Sequence, residues 1–350
     1  MSEKASGNKR SYWKLIPGFG ISAFFLWRTL KSIRLDRLQS MRVEHPAWLP
    51  VIIAFVAAGY TLRAYRWYFM LRSSQASFGA CFRVLLTSLA ANNILPFRIG
   101  DFMRIFAYAP DVNAPSSTVF STVILERLLD IFTLFAFLTA GLWGLHGAAN
   151  PASFHNHALS AHIVGGITVL AALGLGLLLF GATLLQRLME KLVAKYGNHP
   201  RTKKLSEWAL PLFDAVAHLS FIGRIWLLVV SVVVWSCESM IFIATAAALG
   251  LVTHARGPFL AAVLSNLSFL VPSAPGGVGP FEITAKQAMM SQGVDGGGAA
   301  VYALLVHIIV FFAVTGVGGI AFLLHRKERG SLTKPLSEDL ATLPAELPAP

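Results

Sequence analysis

Three charged residues, Glu126, Arg127 and Asp130, lie inside the apolar stretch Ser117–Trp143, where hydrocarbon would reject them. Glu126 falls about nine residues into that stretch, roughly 14 Å along a helix and near the middle of a bilayer. A charge at such a depth costs on the order of 3 kcal/mol on insertion scales, so it pairs or lines a cavity. Glu126 and Asp130 are i,i+4 and share a helical face, and Arg127 reaches Asp130 at i,i+3. The group is therefore either an ion cluster that braces its helix or a polar patch that meets a charged headgroup. A second group is Arg98, Asp101 and Arg104. Guanidinium suits bidentate phosphate contact, and a helix starting near Gly100 would aim free N–H groups at an anion. Alternatively, Asp101 neutralises Arg104 while Arg98 reaches for the membrane surface. Arg63 and Arg66, beside Trp67 at a helix end, fit the same surface-reaching reading or a binding role. Glu238 and His307 sit inside further apolar runs and suit either proton transfer or interior hydrogen bonding. No Ser-His-Asp order, HExxH or glycosidase-like carboxylate pair stands out.

The elements that must position these groups are unusual. In Cys81–Tyr108 the run Val84–Leu95 has 12 residues, about 18 Å of helix against a hydrocarbon core of roughly 30 Å. It is followed by residues that lipid would reject: Asn92 and Asn93 at its end, then Pro96, Arg98, Gly100, Asp101 and Arg104. Backbone breaks at membrane depth only where protein or a water-filled cavity satisfies it, so this stretch reads as a re-entrant hairpin. A second stretch rhymes with it. Phe259–Val271 is an apolar run of 13 residues, followed by Pro272, Pro275, Gly276, Gly277, Gly279, Pro280 and Glu282. Pro96 and Gly100 are four apart, as are Pro275 and Gly279, and an acidic residue follows each, Asp101 and Glu282. Paired interrupted segments are the best sequence pointer to a substrate site in transporter-like folds. The glycines around Val278 permit close backbone approach, but no Lys-Ser/Thr follows to make a nucleotide phosphate loop.

Composition agrees with a membrane protein: 55% of the 350 residues are hydrophobic and 13% charged. The net charge of +12 sits mainly in loops flanking apolar runs, so anionic lipid headgroups are the expected partner rather than nucleic acid. Two cysteines, Cys81 and Cys237, indicate neither a disulfide framework nor a zinc site, and no cofactor is expected. In order, the reading is a cytoplasmic tail 1–11, a retained anchor span Leu15–Leu30, and a basic amphipathic helix Ser32–Glu44. A span Pro46–Leu71 and the first hairpin, residues 79–108, follow. Next come the span Ser117–Trp143, an uncharged outer loop His146–His162, the span Ile163–Leu185 and a basic segment Arg187–Trp208. The span Ile225–Leu251, the second hairpin (residues 258–292) and the span Ala299–Leu324 complete the domain, and a disordered cytoplasmic tail 326–350 ends the chain. The fold class expected is all-α and polytopic: about six full transmembrane helices plus two re-entrant helical hairpins in inverted orientation, with both termini cytoplasmic.

RAYRW at 63–67, NNILPFRIGDFMR at 92–104, LERLLD at 125–130 and PSAPGGVGPFE at 272–282 resemble the lysylphosphatidylglycerol synthetase transmembrane-region family. The resemblance covers residues 12–325. It implies a polytopic inner-membrane protein with flippase-like activity towards phospholipids or lipid-linked intermediates. It places functional weight on Arg63, Arg66, Pro96, Arg98, Gly100, Arg104, Glu126, Arg127, Asp130, Gly276, Gly277, Gly279 and Glu282. Only 26 residues follow Leu324, so the aminoacyl-transfer domain of the full synthetase is not expected. The function expected is translocation of an anionic phospholipid or lipid-linked intermediate, with Arg98 and Arg104 at the phosphate. Two rivals are a membrane-embedded headgroup-modifying enzyme using Glu126, Glu238 or His307, and a non-transporting subunit. A lipid-synthesising partner enzyme or a second copy of the chain would fit either.

Overall fold

A computed structural model describes residues 43–95, 98–143, 151–196, 200–251, 254–270 and 274–341, together with Phe24 and Trp27. Every regular element among them is helical. The expected first span, the basic helix after it and Pro96 fall outside these residues or almost wholly so.

Helix α1 (Trp48–Met70) is followed by a hairpin. Its long arm is α2 (Phe78–Ile94) and its return arm is the short α3 (Ile99–Phe102), extended by a π turn, Met103–Ala107. Helix α4 (Ser116–Trp143) closes this first half. Helix α5 (Pro151–Phe180) leads to two amphipathic helices, α6 (Ala182–Tyr196) and α7 (Pro200–Ala217). The second half repeats the first. It runs α8 (Phe221–Ala248), a hairpin of α9 (Arg256–Leu267) and α10 (Pro280–Met290), then α11 (Gly296–Ala341). Among the described residues, four helical segments are long and apolar enough to cross a membrane: Trp48–Met70, His162–Phe180, Phe221–Ala248 and Gly296–Leu324. Helix α4 has the length, 28 residues or about 42 Å, but carries Glu126, Arg127 and Asp130 in its interior.

Both hairpins close on themselves. Gly100 sits so near α2 that a Cβ there would lie 1.9 Å from the Ser88 carbonyl oxygen. Tyr108 then packs with Cys81 near the start of α2, so the arms run antiparallel. In the second hairpin the Ser265 hydroxyl donates to the Phe281 carbonyl at 3.2 Å, and Gly257 lies against Gln292 at the open end. The halves then exchange helices. Helix α11 lies on α2 of the first hairpin, closely enough at Gly318 that a Cβ would meet the Leu86 carbonyl. Helix α4 lies on α9 of the second hairpin, with Gly141 against Leu260. Helices α1 and α8 pack on one another between the halves. Each half thus packs its hairpin against a helix of the other half. Small residues let the backbones approach where lipid supplies no hydrophobic drive for helices to associate.

Three expectations change. The loop expected at His146–His162 is helical from Pro151, since nothing in 151–162 opposes helix and α5 propagates back through it. The basic segment Arg187–Trp208 is not irregular: its apolar residues recur at helical spacing and form α6 and α7. Helix α11 runs as far as Ala341, through Gly330 and Pro335, where the sequence reading expects a disordered tail.

Candidate functional site

The charged residues form one connected layer between the halves, and every pair in it except Arg127–Asp130 joins two different elements. Arg63 of α1 meets Glu238 of α8 at 3.4 Å and lies over the Trp235 ring, 4.6 Å from its centroid. One helical turn on, Arg66 pairs with Asp130 of α4 at 2.8 Å and donates to the Ser231 hydroxyl at 2.8 Å. The Trp235 indole donates to the same Asp130 carboxylate at 3.1 Å. Arg104, at 0% side-chain exposure, pairs with Glu126 at 3.0 Å and lies over Trp67, whose indole in turn donates to Thr122. Arg127, at 27% exposure, donates to both oxygens of Asp101 at 3.0 Å, while Asp130 is 3.8 Å away. Asp101 is fixed from its other side by Asn92, which donates to the carboxylate and accepts the Asp101 N–H.

The hairpin tips meet beside this layer. Arg98 opens α3 with left-handed backbone (φ 53°), is exposed, and donates to the Phe269 carbonyl of the second hairpin at 3.3 Å. Asn93 donates to Thr315 of α11, and its carbonyl lies 3.3 Å from where a Gly276 Cβ would be. Gly276, Gly277 and Gly279 all have positive φ, and a Cβ on Gly277 would strike the Phe269 ring. Pro275 opens this turn. Glu282 accepts the Gly279 N–H at 2.6 Å and contacts His307 of α11 at 2.7 Å.

The layer holds Arg63, Arg66, Arg98, Arg104 and Arg127 against Asp101, Glu126, Asp130 and Glu238, five cations to four carboxylates. Among the described residues of this layer, Arg98 alone has no carboxylate partner. Buried donors are also in surplus, with Arg66 Nε, Arg104 Nε and Nη1 and Arg127 Nε lacking hydrogen-bond partners among the described residues. Chemically, the arrangement can receive an anion at its exposed tip and is braced beneath it.

Several expected pairings are replaced. Arg66 does not reach the surface; it is 1% exposed because Asp130 and Ser231 hold it inward. Asp101 neutralises Arg127 rather than Arg104, since Arg104 turns towards Glu126. Arg104 is thereby sealed from any headgroup. The helix start near Gly100 offers no free anion site, because Asn92 and Asp101 occupy it. Trp235, Ser231, Thr122 and Thr315 were not singled out by sequence. Only Trp235 carried a signal, three residues before Glu238 on one helical face.

Comparison with known proteins gives one family. Residues 15–318 match the lysylphosphatidylglycerol synthase TM region. A curated relative, named Glycosyltransferase AglD, from Haloferax volcanii, is 23% identical over 306 residues, covering 80% of this chain and 49% of the relative. The chain thus spans about half the length of the curated relative it matches. No solved structure matches. With 15–318 matched and the quoted motifs gathered at the hairpin tips and the ion-pair layer, the chain belongs to the lysylphosphatidylglycerol synthase transmembrane-region family.

Proposed function

We propose that the chain moves an anionic phospholipid or lipid-linked intermediate between leaflets. In this reading the two hairpins are re-entrant and enter from opposite faces. Five described helices and the expected N-terminal span cross the bilayer, and both termini are cytoplasmic. The observation that carries the proposal is Arg98, an exposed cation at the junction of the hairpin tips that forms no ion pair among the described residues. A charge left unpaired at membrane depth is costly unless a ligand or water meets it. A phosphate that met Arg98 would find Arg127 next, which Asp101 already half-neutralises. Acyl chains would stay in the bilayer along exposed Ile99, Phe102 and Phe106. Arg63, Arg66, Arg104, Glu126, Asp130 and Glu238 hold the helices beneath in register.

The relative's name supports a second reading, in which the chain works on lipid headgroups as an enzyme or beside one. Glu126 and Glu238 face guanidinium groups, which leaves Glu282 and His307 as the acid–base pair such chemistry would use. Reconstitution into liposomes carrying fluorescent lipids of several headgroups separates the readings. Leaflet exchange of anionic lipids supports translocation, a new lipid product supports the enzyme, and neither supports a partner-dependent subunit.

A further inference from the structure

Glu282 and His307 stand apart from the arginine layer, and their hydrogen bonds determine a proton count. His307 Nε2 lies 2.9 Å from the Gly276 carbonyl oxygen. A carbonyl only accepts, so Nε2 carries a hydrogen. His307 Nδ1 lies 2.7 Å from Glu282 Oε1, a contact that needs one hydrogen between the two atoms. Glu282 Oε2 accepts the Gly279 N–H at 2.6 Å. For both contacts to be hydrogen bonds the pair must hold two protons, as imidazolium with carboxylate or as neutral imidazole with carboxylic acid. Either form has one proton more than a neutral histidine beside a glutamate ion. Losing it would leave an imidazole lone pair facing a carboxylate, two acceptors that repel.

What this proton holds closed is the tip of the second hairpin. Gly276 and Gly279, the two backbone partners, bracket the turn that touches Asn93 of the first hairpin. The Phe281 ring stacks on the imidazole with centroids 4.2 Å apart, and both members of the pair are buried. The other ionisable groups on elements packed around it include Lys286 one turn along α10, Tyr302 on α11, Cys237 and Glu238 on α8, Arg256 on α9, and Cys81, Arg83, Arg98, Asp101 and Arg104 of the first hairpin. The two imidazole nitrogens already have Glu282 and Gly276 as partners.

We infer that Glu282 and His307 form a proton-binding site that fastens the second hairpin's tip to α11 when occupied, so that proton release to water frees the tip. This site would couple the proposed lipid movement to a proton gradient, and only that coupling rests on the translocation reading.

Glu282→Gln tests it closely. The Gln carbonyl can accept the Gly279 N–H and its NH2 can donate to a neutral imidazole, so every hydrogen bond survives without the removable proton. In protein lacking Cys81 and Cys237, a spin label on Val278→Cys should gain mobility between about pH 5 and about pH 9. With Glu282→Gln added, it should stay immobile throughout. As a check free of the label, unlabelled wild type should release one more proton per chain than Glu282→Gln over the same range. In liposomes, an imposed proton gradient should change lipid exchange several-fold in wild type and leave the Gln variant unaffected. Equal pH responses in the two proteins, or no difference in released protons, would overturn the site. A pH-dependent tip without any lipid exchange keeps the site and removes translocation. Lipid exchange with a pH-independent tip removes the site and keeps translocation.

Discussion

Arg104→Leu is the sharpest test of which arginines brace the fold. The side chain is at 0% exposure, 3.0 Å from Glu126 and stacked over Trp67. Replacing it with an apolar side chain preserves much of the volume but leaves Glu126 buried without its cation. Breaking a buried pair by removing one partner is worth about 3–5 kcal/mol. A second route limits that figure. A glutamate in water takes up a proton at pH 7 for about 4 kcal/mol, so an abandoned carboxylate can always escape by neutralising at that cost. The predicted loss is thus about 3–4 kcal/mol at pH 7. Because protonation becomes easier by about 1.4 kcal/mol per pH unit, the loss should shrink by roughly 2–3 kcal/mol at pH 5. Reversible unfolding in bicelles measures it. Arg104→Leu with Glu126→Leu should recover most of the stability, since apolar replacement of a whole buried pair is often neutral. The double variant should also move lipid at near the wild-type rate. A single variant as stable as wild type, or a double variant worse than the single, would refute the bracing role.

Arg127→Ala abandons Asp101 rather than Asp130, which keeps Arg66, so Asp101→Asn should restore folded yield to Arg127→Ala and Asp130→Asn should not; size-exclusion profiles decide this. Gly318→Val should lose most folded protein because its side chain meets the Leu86 carbonyl, whereas Gly316→Ala, which has open space, should be recovered at wild-type yield. Single cysteines at Ser73 and Ser291 should label from opposite faces with an impermeant reagent, since Asn93 meets Thr315 and Leu86 meets Gly318, which runs α2 and α11 antiparallel and sets the start of α2 and the start of α11 at opposite ends; labelling from one face would remove the inverted arrangement of the proposal.

The hairpins were legible because their cause is local. Runs of 12 and 13 apolar residues are ended by Pro and Gly, and helices α2 and α9 stop there, at Ile94 and Leu267. Partners were not legible, for Arg63 and Glu238 lie 175 residues apart and Arg127 and Asp101 lie 26 apart. Helix spacing showed Arg127 and Asp130 to be neighbours, but the side chain's rotation towards the first hairpin depends on how α3 packs on α2 at Gly100. Glu282 and His307 each stood out singly as charge in an apolar setting, yet nothing local joins residues on α10 and α11. The helical start of α5 was missed because an uncharged polar stretch reads equally as loop or as helix, and continuation of the neighbouring helix decides.

Exchange of a fluorescent anionic lipid between leaflets, compared for wild type, Arg98→Lys and Arg98→Ala in proteoliposomes, tests the central claim most directly. Arg98 is exposed and, among the described residues, its one hydrogen bond is to the Phe269 carbonyl, so its removal should leave a monodisperse, folded protein. The account predicts exchange well above protein-free vesicles for wild type, a reduced rate for Arg98→Lys, which keeps the charge without the planar fork, and a rate at the protein-free level for Arg98→Ala. Exchange by Arg98→Ala at the wild-type rate would contradict it.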